Sequence, residues 1–443
     1  MSGIAEVMLT LGYEVSGSDN SDNAATRRLS RLGARVMRGH SAANVLGTDC
    51  VVVSSAIRED NPELMEARSQ RIPIMPRAAM LAELMRFRRG IAVAGTHGKT
   101  TTSAMLAWIL EDAGYAPGFL IGGVPMNFGI SARLSGKIDG KSAESDFFVI
   151  EADEYDTAFF DKRSKFVHYH AKTAIMNNLE YDHADIFPDL HAIETQFHHL
   201  VRTVPGIGRL VFNGDEASLQ RVLARGCWSE KESFGQDANW QLQEQAEGSF
   251  DVLFNGKHEG HVAWALTGKH NRSNALAAIA AARHVGVPIA QACAALATFE
   301  SVKRRMEVRG VVNNITVYDD FAHHPTAIAT TVGGLRQKIG SSARILAVLE
   351  PRSNTMKLGA MKDALPGSLK DADLVFGFGS HAALGWSLGD ALAPLGKIAS
   401  AYEDIDTLVA AVAASARPGD QIVVMSNGGF GGVHQKLLEA LGR

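Results

Sequence analysis

Short apolar runs alternate with longer amphipathic stretches along almost the whole chain. The runs are rich in β-branched residues, and the clearest ones cover residues 50–53, 90–94, 146–150, 173–176, 344–349, 374–376 and 421–425. Runs of this length indicate buried strands, and the amphipathic stretches between them indicate helices that cross over a sheet. The pattern therefore predicts an α/β fold with mainly parallel sheets.

The length of 443 residues is about three times the commonest domain size. A basic run over residues 86–89 closes the first part of the pattern, and a second basic run over 303–305 follows an Ala-rich helical pair. A hairpin-like run over 307–318 then begins the last part. We therefore expect three domains, which cover residues 1–88, 89–305 and 306–443.

The first domain opens with a helical pattern rather than with a strand. Residues 3–11 indicate a helix, residues 14–17 a strand and residues 24–32 a second helix. A doubly wound domain normally opens with a strand whose Gly-rich turn leads into the first helix. We expect that opening strand to be missing from this chain.

The net charge and the positions of the cysteines indicate which partners and which structural sites to expect. The 44 Lys and Arg residues against 48 Asp and Glu give a formal net charge of -4, so we expect neither nucleic acid nor a membrane as a partner. Cys50, Cys227 and Cys293 lie far apart, which argues against a disulfide framework or a cysteine-based zinc site. We find neither a basic leader nor a membrane-spanning run, and we expect a cytoplasmic protein.

An apolar strand over residues 91–94 leads into a Gly-bounded turn and a long helix that ends near residue 113. Glycines let backbone N–H groups converge on phosphate oxygens, Lys99 can reach terminal phosphates, and Thr100 can ligate magnesium. The spacing Gly-x-x-Gly-Lys-Thr is shorter than the general phosphate-loop pattern, and an ordinary glycine turn is the alternative. We interpret the segment as an ATP phosphate site. Its residues are Gly95, Thr96, His97, Gly98, Lys99, Thr100 and Thr101.

A group of carboxylates follows the strand predicted over residues 146–150. Glu151, Asp153, Glu154 and Asp156 lie close together in the sequence and must be solvated or paired with a cation. Oxygen ligands of this kind suit Mg²⁺ better than zinc. Beside a phosphate turn they predict the second half of a magnesium site, whereas a solvated acidic loop is the alternative.

Several motifs, in this order along the chain, resemble those of the Mur ligases. The resemblance extends from residue 1 to the C-terminus and implies an enzyme that joins a carboxylate to an amine by way of an acyl phosphate. It also implies an N-terminal Rossmann-like UDP-binding domain, a central P-loop ATPase domain and a C-terminal Rossmann-like α/β domain. Besides the phosphate turn, the motifs cover residues 151–154, 177–183, 268–275, 304–305 and 318–325.

The resemblance also implies roles for individual residues. Lys99 would bind the ATP phosphates, and Thr100 with Glu151 would bind one magnesium ion. His183 would bind a second magnesium ion near the reacting carboxylate, although a polar loop histidine is the alternative. Lys99, Glu151 and His183 are thus the catalytic candidates. The further ATP contacts are Asn271 and Asn274 near the adenine, and Arg305, Asp320 and His323 from the third domain.

Two local features limit which residue roles can be carried over from the Mur ligases. The adjacent residues His323 and His324 are a poor metal chelate, and Pro325 after them predicts the start of a helix. Residues 193–198 contain no lysine, although some Mur ligases carry a carbamylated lysine in the corresponding helix. That role must be absent here or filled differently.

The motifs over residues 151–154 and 319–325 resemble the branch of the family whose acceptor is UDP-N-acetylmuramate. One activity of that branch adds L-alanine, and another attaches the recycled tripeptide L-alanyl-γ-D-glutamyl-meso-diaminopimelate. Residues 155–166, 350–356 and 426–432 resemble the second. Arg352 and the Gly-rich loop would supply a cation and N–H donors to peptide carboxylates, with a plain flexible loop as the alternative. The substrate candidates are Ser18, Asp19, Ser54, Ser55, Asn127, Tyr155, Arg352, Ser353, Asn354 and Asn427.

Other interpretations of the phosphate turn stay open. A nucleotide switch or motor would need no muramyl substrate, but the guanine-reading run Asn-Lys-x-Asp is absent from the sequence. A folate polyglutamate synthetase would share the central domain without needing the N-terminal one. A non-catalytic, shortened relative is a further alternative, because the missing strand would weaken nucleotide-sugar binding. For an active ligase we expect a monomer or a weak homodimer.

Overall fold

The computed structural model describes residues 1–54, 56–134, 137–138, 141–142, 145–158, 161–245, 248–264 and 266–442. Helices and strands alternate along this part of the chain, as the apolar pattern predicts. None of the helices in these ranges is long and apolar enough to cross a membrane.

Among its described residues, the N-terminal region contains four α-helices and two pairs of parallel strands. The helices are α1 (Ser2–Thr10), α2 (Ala24–Arg31), α3 (Pro62–Ser69) and α4 (Arg77–Met85). The strands are β1 (Ser16–Asp19), β2 (Arg35–Arg38), β3 (Val51–Val53) and β4 (Ile74–Pro76). β1 pairs with β2, and β3 pairs with β4. The helix predicted over residues 3–11 is confirmed, and the strand predicted from residue 14 begins at Ser16.

The helix α1 packs directly against the central region. Its buried residues Ile4 and Val7 belong to the same hydrophobic cluster as Leu120 and Ala132, and α4 contributes to that cluster too. Gly3 marks the closest approach, since a Cβ there would lie 2.8 Å from Leu120 and 2.9 Å from Ala132. The N-terminal region therefore shares a hydrophobic core with its neighbour.

The central region is built on a ten-stranded sheet of order β18-β17-β16-β15-β14-β13-β5-β10-β6-β7, with the short hairpins β8–β9 and β11–β12 outside it. The first strands are β5 (Arg89–Ala94), β6 (Gly118–Leu120), β7 (Ala132–Arg133), β8 (Lys137–Ile138), β9 (Lys141–Ser142), β10 (Phe147–Glu151), β11 (Asp156–Ala158) and β12 (Asp161–Ser164). The others are β13 (Thr173–Met176), β14 (Arg209–Asn213), β15 (Glu230–Phe234), β16 (Trp240–Glu244), β17 (Phe250–Phe254) and β18 (Lys257–Val262). The helices are α5 (Lys99–Asp112), α6 (Leu190–Thr203), α7 (Ala217–Ala224), α8 (Lys269–His284) and α9 (Ile289–Leu296).

Two hydrophobic cores cover the two faces of this sheet. Along β10, Val149 belongs to the core formed with α5, α8 and α9, whereas Phe148 and Ile150 belong to the core formed with α6 and α7. β10 and β13 both pair with β5 in parallel. Because the carboxyl ends of parallel strands lie at one edge, the residues that follow these three strands meet there.

The C-terminal region is built on a six-stranded sheet of order β19-β20-β24-β21-β22-β23, in which β19 alone runs antiparallel to its neighbour. The strands are β19 (Glu307–Val312), β20 (Ile315–Asp320), β21 (Ile345–Leu349), β22 (Leu374–Phe378), β23 (Ala399–Tyr402) and β24 (Gln421–Met425). The helices are α10 (Pro325–Ile339), α11 (Asn354–Lys357), α12 (Leu365–Ser368), α13 (His381–Leu384), α14 (Leu388–Leu392), α15 (Ile405–Ser415) and α16 (Val433–Leu441). The predicted hairpin and the helix start at Pro325 are both confirmed.

Trp240 anchors the outer half of the central sheet. It is the largest fully buried side chain among the described residues. Its Nε1 donates a hydrogen bond to Glu232 Oε2 at 2.7 Å, and its ring centroid lies 4.6 Å from that of Phe254. The indole therefore fills space and also pairs a buried carboxylate.

We predict that Trp240→Ala lowers the free energy of unfolding of the central region by about 3–5 kcal/mol, because it leaves a cavity and removes a donor from Glu232. Chemical denaturation followed by circular dichroism measures the change. The matched control is Trp228→Ala, since Trp228 is 64% exposed; it should change stability by less than about 0.5 kcal/mol. Equal losses in the two variants would contradict the packing argument.

Candidate active site

The turn after β5 is fixed by asparagines on both sides. Asn178 accepts a hydrogen bond from the His97 N–H at 2.8 Å and donates one to the His97 carbonyl oxygen at 3.2 Å. Gly98 has a φ of 79°, and a Cβ on it would lie 2.5 Å from Asn274 Oδ1. Glycine is required here because the backbone is left-handed and the approach is close. The protein therefore holds the turn in shape through its own contacts.

Lys99 opens α5 and folds back over the turn. Its Nζ lies 2.5 Å from the Gly95 carbonyl oxygen and 3.1 Å from Glu154 Oε2. Burial lowers the pKa of Lys99, but the neighbouring carboxylates, led by Glu154, raise it above its ordinary value. The ammonium is therefore charged at neutral pH, which is the form that binds a phosphate.

Thr100 and Glu151 lie together, as the sequence analysis expects. The Thr100 hydroxyl donates to Glu151 Oε1 at 2.9 Å, and the Gly122 N–H donates to Oε2 at 2.7 Å. Burial and the charge of Asp153 raise the pKa of Glu151, although Lys99 opposes this shift. A hard cation would stabilise a carboxylate in this position, and the hydroxyl and carboxylate oxygens fit Mg²⁺. Their role as metal ligands stays a prediction.

Glu154 lies between Lys99 and His183. Its side chain is 2% exposed, and its Oε1 lies 3.5 Å from His183 Nε2. Burial lowers the pKa of His183, but Glu154 raises it to a net value above the ordinary one. The structure thus brings His183 to the same edge of the sheet as the phosphate turn. In the sequence Glu154 is only one member of an acidic run, and this bridging position was not predicted.

A buried cation, Lys165, was missed by the sequence analysis. Its Nζ lies 3.1 Å from Asp153 Oδ2 and 3.6 Å from the centroid of the Tyr155 ring. Burial lowers the pKa of Lys165, and Asp153 opposes that shift. The residue lies in the segment 155–166, which was used only for its family resemblance. No local signal reveals its burial, because lysine is normally exposed.

The C-terminal region reaches this edge of the sheet through hydrogen bonds. The Thr355 hydroxyl donates to Asp182 Oδ1 at 2.6 Å, and Asn354 Nδ2 donates to Asp185 Oδ2 at 2.8 Å. Burial raises the pKa of Asp182, but the adjacent histidine and the Thr355 hydroxyl lower it to about 2. The candidate site therefore lies where two regions of the chain meet.

The Asp320 carboxylate, which is an expected ATP contact, already has hydrogen-bond partners within the protein. Its oxygens accept hydrogen bonds from the backbone N–H groups of Met306 at 2.9 Å and Ala322 at 2.8 Å. Burial raises its pKa, although Arg305 opposes this. The carboxylate is thus held by the protein itself, and its contact with ATP stays a prediction.

The other ATP candidates from the last three motifs also have protein partners. Asn274 lies against the phosphate turn, as described above, so its place near an adenine stays a prediction. The Arg305 guanidinium lies 5.2 Å from the centroid of the Phe321 ring. His323 Nδ1 lies 3.0 Å from the Phe321 carbonyl oxygen, and Asn271 Nδ2 donates a hydrogen bond to the Thr267 carbonyl oxygen at 2.7 Å.

On the N-terminal side, Asp19 lines a cavity of about 440 Å³. Arginines surround the same cavity, namely Arg27, Arg31 and Arg38. Ser18 donates a hydrogen bond to Glu63 at 2.8 Å, so its hydroxyl is engaged within the protein. Ser54 is partly buried just after β3, and Ser55 lies outside the described residues. The structure therefore associates one of these candidates, Asp19, with a cavity.

On the C-terminal side, the Gly-rich loop is held by an arginine that the sequence analysis did not assign to it. Arg304 donates to the carbonyl oxygens of Ser426 at 2.6 Å and Gly428 at 2.9 Å. Arg352 lies against Gly428, and Asn427 Oδ1 is buried without a hydrogen-bond partner among the described residues. Among the other candidates, Ser353 caps α11 and Asn127 donates to the Thr298 carbonyl oxygen at 2.9 Å.

Three models of one family match this chain. The Mur ligase family catalytic domain matches residues 1–89, the Mur ligase middle domain residues 93–282 and the glutamate ligase domain residues 304–428. The UDP-N-acetylmuramate–L-alanyl-γ-D-glutamyl-meso-2,6-diaminoheptandioate ligase of Escherichia coli K12 is 50% identical over 448 residues, which cover 100% of this chain and 96% of that protein. The chain belongs to the Mur ligase family.

Solved structures of Mur ligases agree with this assignment. A murein peptide ligase from Psychrobacter arcticus is 41% identical with a TM-score of 0.76, over 100% of this chain and 96% of that one. A UDP-N-acetylmuramate–alanine ligase from Thermotoga maritima is 25% identical with a TM-score of 0.81, over 99% and 96% of the two chains. The resemblance and the three-domain α/β architecture of a Mur ligase are thereby confirmed, while the roles of individual residues stay predictions.

For this Mur ligase we predict that Gly98→Ala weakens ATP binding by about tenfold or more, because the new Cβ must displace Asn274 and distort the phosphate turn. Calorimetric titration with ATP and Mg²⁺ measures the effect. Gly47→Ala is the matched control, since Gly47 has a φ of 77° and open space around its Cβ position. Both variants introduce backbone strain of about 1–2 kcal/mol, but only Gly98→Ala should change ATP affinity. Unchanged affinity in Gly98→Ala would remove the turn from the ATP site.

Proposed function

We propose that this Mur ligase uses ATP to join UDP-N-acetylmuramate to L-alanyl-γ-D-glutamyl-meso-diaminopimelate in peptidoglycan recycling. The observation that carries the proposal is the similarity over the whole chain to the E. coli ligase named for that tripeptide. The arrangement around Lys99 supports the ATP-dependent step. We further propose that the enzyme works in the cytoplasm as a monomer or weak homodimer.

In the proposed reaction, a carboxylate oxygen of the muramyl group attacks the γ-phosphorus of ATP, and ADP leaves. The resulting acyl phosphate is attacked by the α-amine of the tripeptide, which forms the amide bond and releases phosphate and a proton. Charge develops on the transferred phosphoryl group and on the tetrahedral carbon. The active site must therefore stabilise the negative charge that develops on the phosphoryl group and on the tetrahedral carbon.

The chain offers the required groups at the edge formed by β5, β10 and β13. The start of α5 supplies backbone N–H groups, and the Lys99 ammonium is charged and close to the turn. Thr100 and Glu151 would hold Mg²⁺, with His183 as a candidate for a second ion. When bound, Mg²⁺ would neutralise phosphate charge and polarise the oxygens of the phosphoryl group.

The contact between the two regions supports a role of the C-terminal region in protecting the acyl phosphate. Asp182 directly precedes His183 and accepts the hydrogen bond from Thr355. When this contact is formed, the C-terminal region lies against the segment that follows β13. Exclusion of water at that stage would direct the acyl phosphate to the amine rather than to hydrolysis.

The proposed substrate sites lie in the N-terminal and the C-terminal regions. Three arginines and two aspartates line the cavity beside Asp19, and Arg27 is paired with Asp22. Arg31 and Arg38 would bind a nucleotide diphosphate. Arg352 and the loop held by Arg304 would bind peptide carboxylates. The buried Asn427 Oδ1 supports a ligand at that loop, because a buried acceptor normally has a donor.

A second candidate function is the ligation of L-alanine to the same acceptor. It is favoured by the fold similarity to the T. maritima alanine ligase, at a TM-score of 0.81. Both functions require the same ATP step, and they differ in the amine that attacks the acyl phosphate.

We predict that phosphate release from ATP, Mg²⁺ and UDP-N-acetylmuramate depends on the tripeptide, and that mass spectrometry finds the tripeptide adduct. L-Alanine should support much less turnover, and the reverse preference would favour the second candidate. Silence with both amines would contradict the ligase proposal for this chain.

Lys99→Ala should lower kcat about 10²–10³-fold, because it removes a cation from the transferred phosphoryl group. The surface variant Lys397→Ala is the control and should keep wild-type turnover, because Lys397 is exposed. Thermal melting of both proteins checks that Lys99→Ala is folded, since the variant also leaves buried Glu154 without its ammonium partner. Full activity in folded Lys99→Ala would exclude the assigned role.

A further inference from the structure

A second group of metal-ligating side chains lies where the phosphate turn meets the C-terminal region. It consists of His97, Glu180 and His324, whose ligand atoms all lie within 4.8 Å of one another. His97 Nε2 lies 3.4 Å from Glu180 Oε2, and His324 Nδ1 lies 3.8 Å from the same oxygen. The ring centroids of the two histidines are 4.8 Å apart. We refer to these three residues as the interface histidine cluster.

The donor atoms of this cluster suit a zinc-like cation. Two imidazole nitrogens and one carboxylate oxygen are typical zinc ligands, whereas Mg²⁺ prefers oxygen atoms alone. In a tetrahedral site with bonds of about 2.0–2.1 Å, ligand atoms lie roughly 3.3 Å apart. The two distances to Glu180 are already close to that value. Small rotations of the two histidine side chains would complete the geometry, with water as a fourth ligand.

His324 is the buried member of the cluster. The Thr326 backbone N–H donates a hydrogen bond of 3.3 Å to its Nδ1, so a cation bound at Nδ1 would replace that N–H at the lone pair of this nitrogen. Its Nε2 is buried and has no hydrogen-bond partner among the described residues. Protein contacts alone therefore leave this ring incompletely paired, although it is only 5% exposed. A cation at Nδ1 supplies no partner for Nε2, so the distances among the three side chains carry the proposal.

We propose that the interface histidine cluster binds a divalent cation of the zinc class and clamps the C-terminal region onto the phosphate turn. The site uses none of the magnesium candidates Thr100, Glu151 and His183. His97 and Glu180 belong to the central region, whereas His324 caps α10 of the C-terminal region. A cation held by all three therefore resists separation of the two regions. The proposal is independent of which amine the enzyme uses.

Calorimetric titration of the full chain with ZnCl₂, in excess Mg²⁺ to occupy the magnesium candidates, tests the proposal. We expect one zinc site in the wild type that is weakened about tenfold or more by Glu180→Gln and by His324→Asn. Asparagine is a favourable N-cap, so His324→Asn keeps the start of α10. The matched control His381→Asn changes an exposed histidine and should bind zinc like the wild type. Absence of the wild-type site, or equal binding by all four proteins, overturns the proposal.

Two further measurements locate the ion and check the clamp. Anomalous scattering at the zinc edge from zinc-soaked crystals should show a peak between His97, Glu180 and His324. A peak only near Glu151 and His183 would refute the assignment. Zinc should also raise the melting temperature of the wild type but not that of Glu180→Gln, because binding stabilises only a folded site. Both readouts are independent of ligase activity.

Discussion

Buried negative charge at the end of β10 is the constraint on which the rest of the candidate site depends. Glu151 and Glu154 are carboxylates that the fold removes from water, and each needs a positive partner or a donor to stay there. Lys99, Lys165 and His183 occupy the positions around this acidic segment. The phosphate turn, the segment after β12 and the segment after β13 are therefore held together because the buried carboxylates need positive partners.

The sheet explains why these segments converge. β5, β10 and β13 are neighbours and parallel, so the residues after each strand reach the same edge without a long connection. Apolar side chains on both faces fix the register, since slippage by one residue would move the side chains of β10 that fit one core into the other. The packing of the apolar side chains in the sheet thus determines where the charged side chains lie.

Sequence alone predicted the parts of this structure that local pattern determines. The apolar runs identified strands such as β13 and β24 with their observed bounds, and the glycine spacing identified the turn. Contacts between residues far apart in the chain could not be found in this way. Thr355 meets Asp182 across 173 positions, and the burial of Lys165 depends on Asp153 and Tyr155. No local pattern encodes such pairings, because tertiary packing creates them.

The packing of α1 determines how the regions of the chain are joined. Since α1 and α4 share a hydrophobic core with the central sheet, the first two regions pack as one unit, which we call the platform. The C-terminal region instead has hydrophobic clusters of its own and meets the platform through polar side chains such as Thr355 and Asn354. Polar contacts separate at lower free-energy cost than a common apolar core. Among the described residues, the C-terminal region therefore shares no hydrophobic cluster with the platform, and the chain passes from one to the other between Val302 and Glu307.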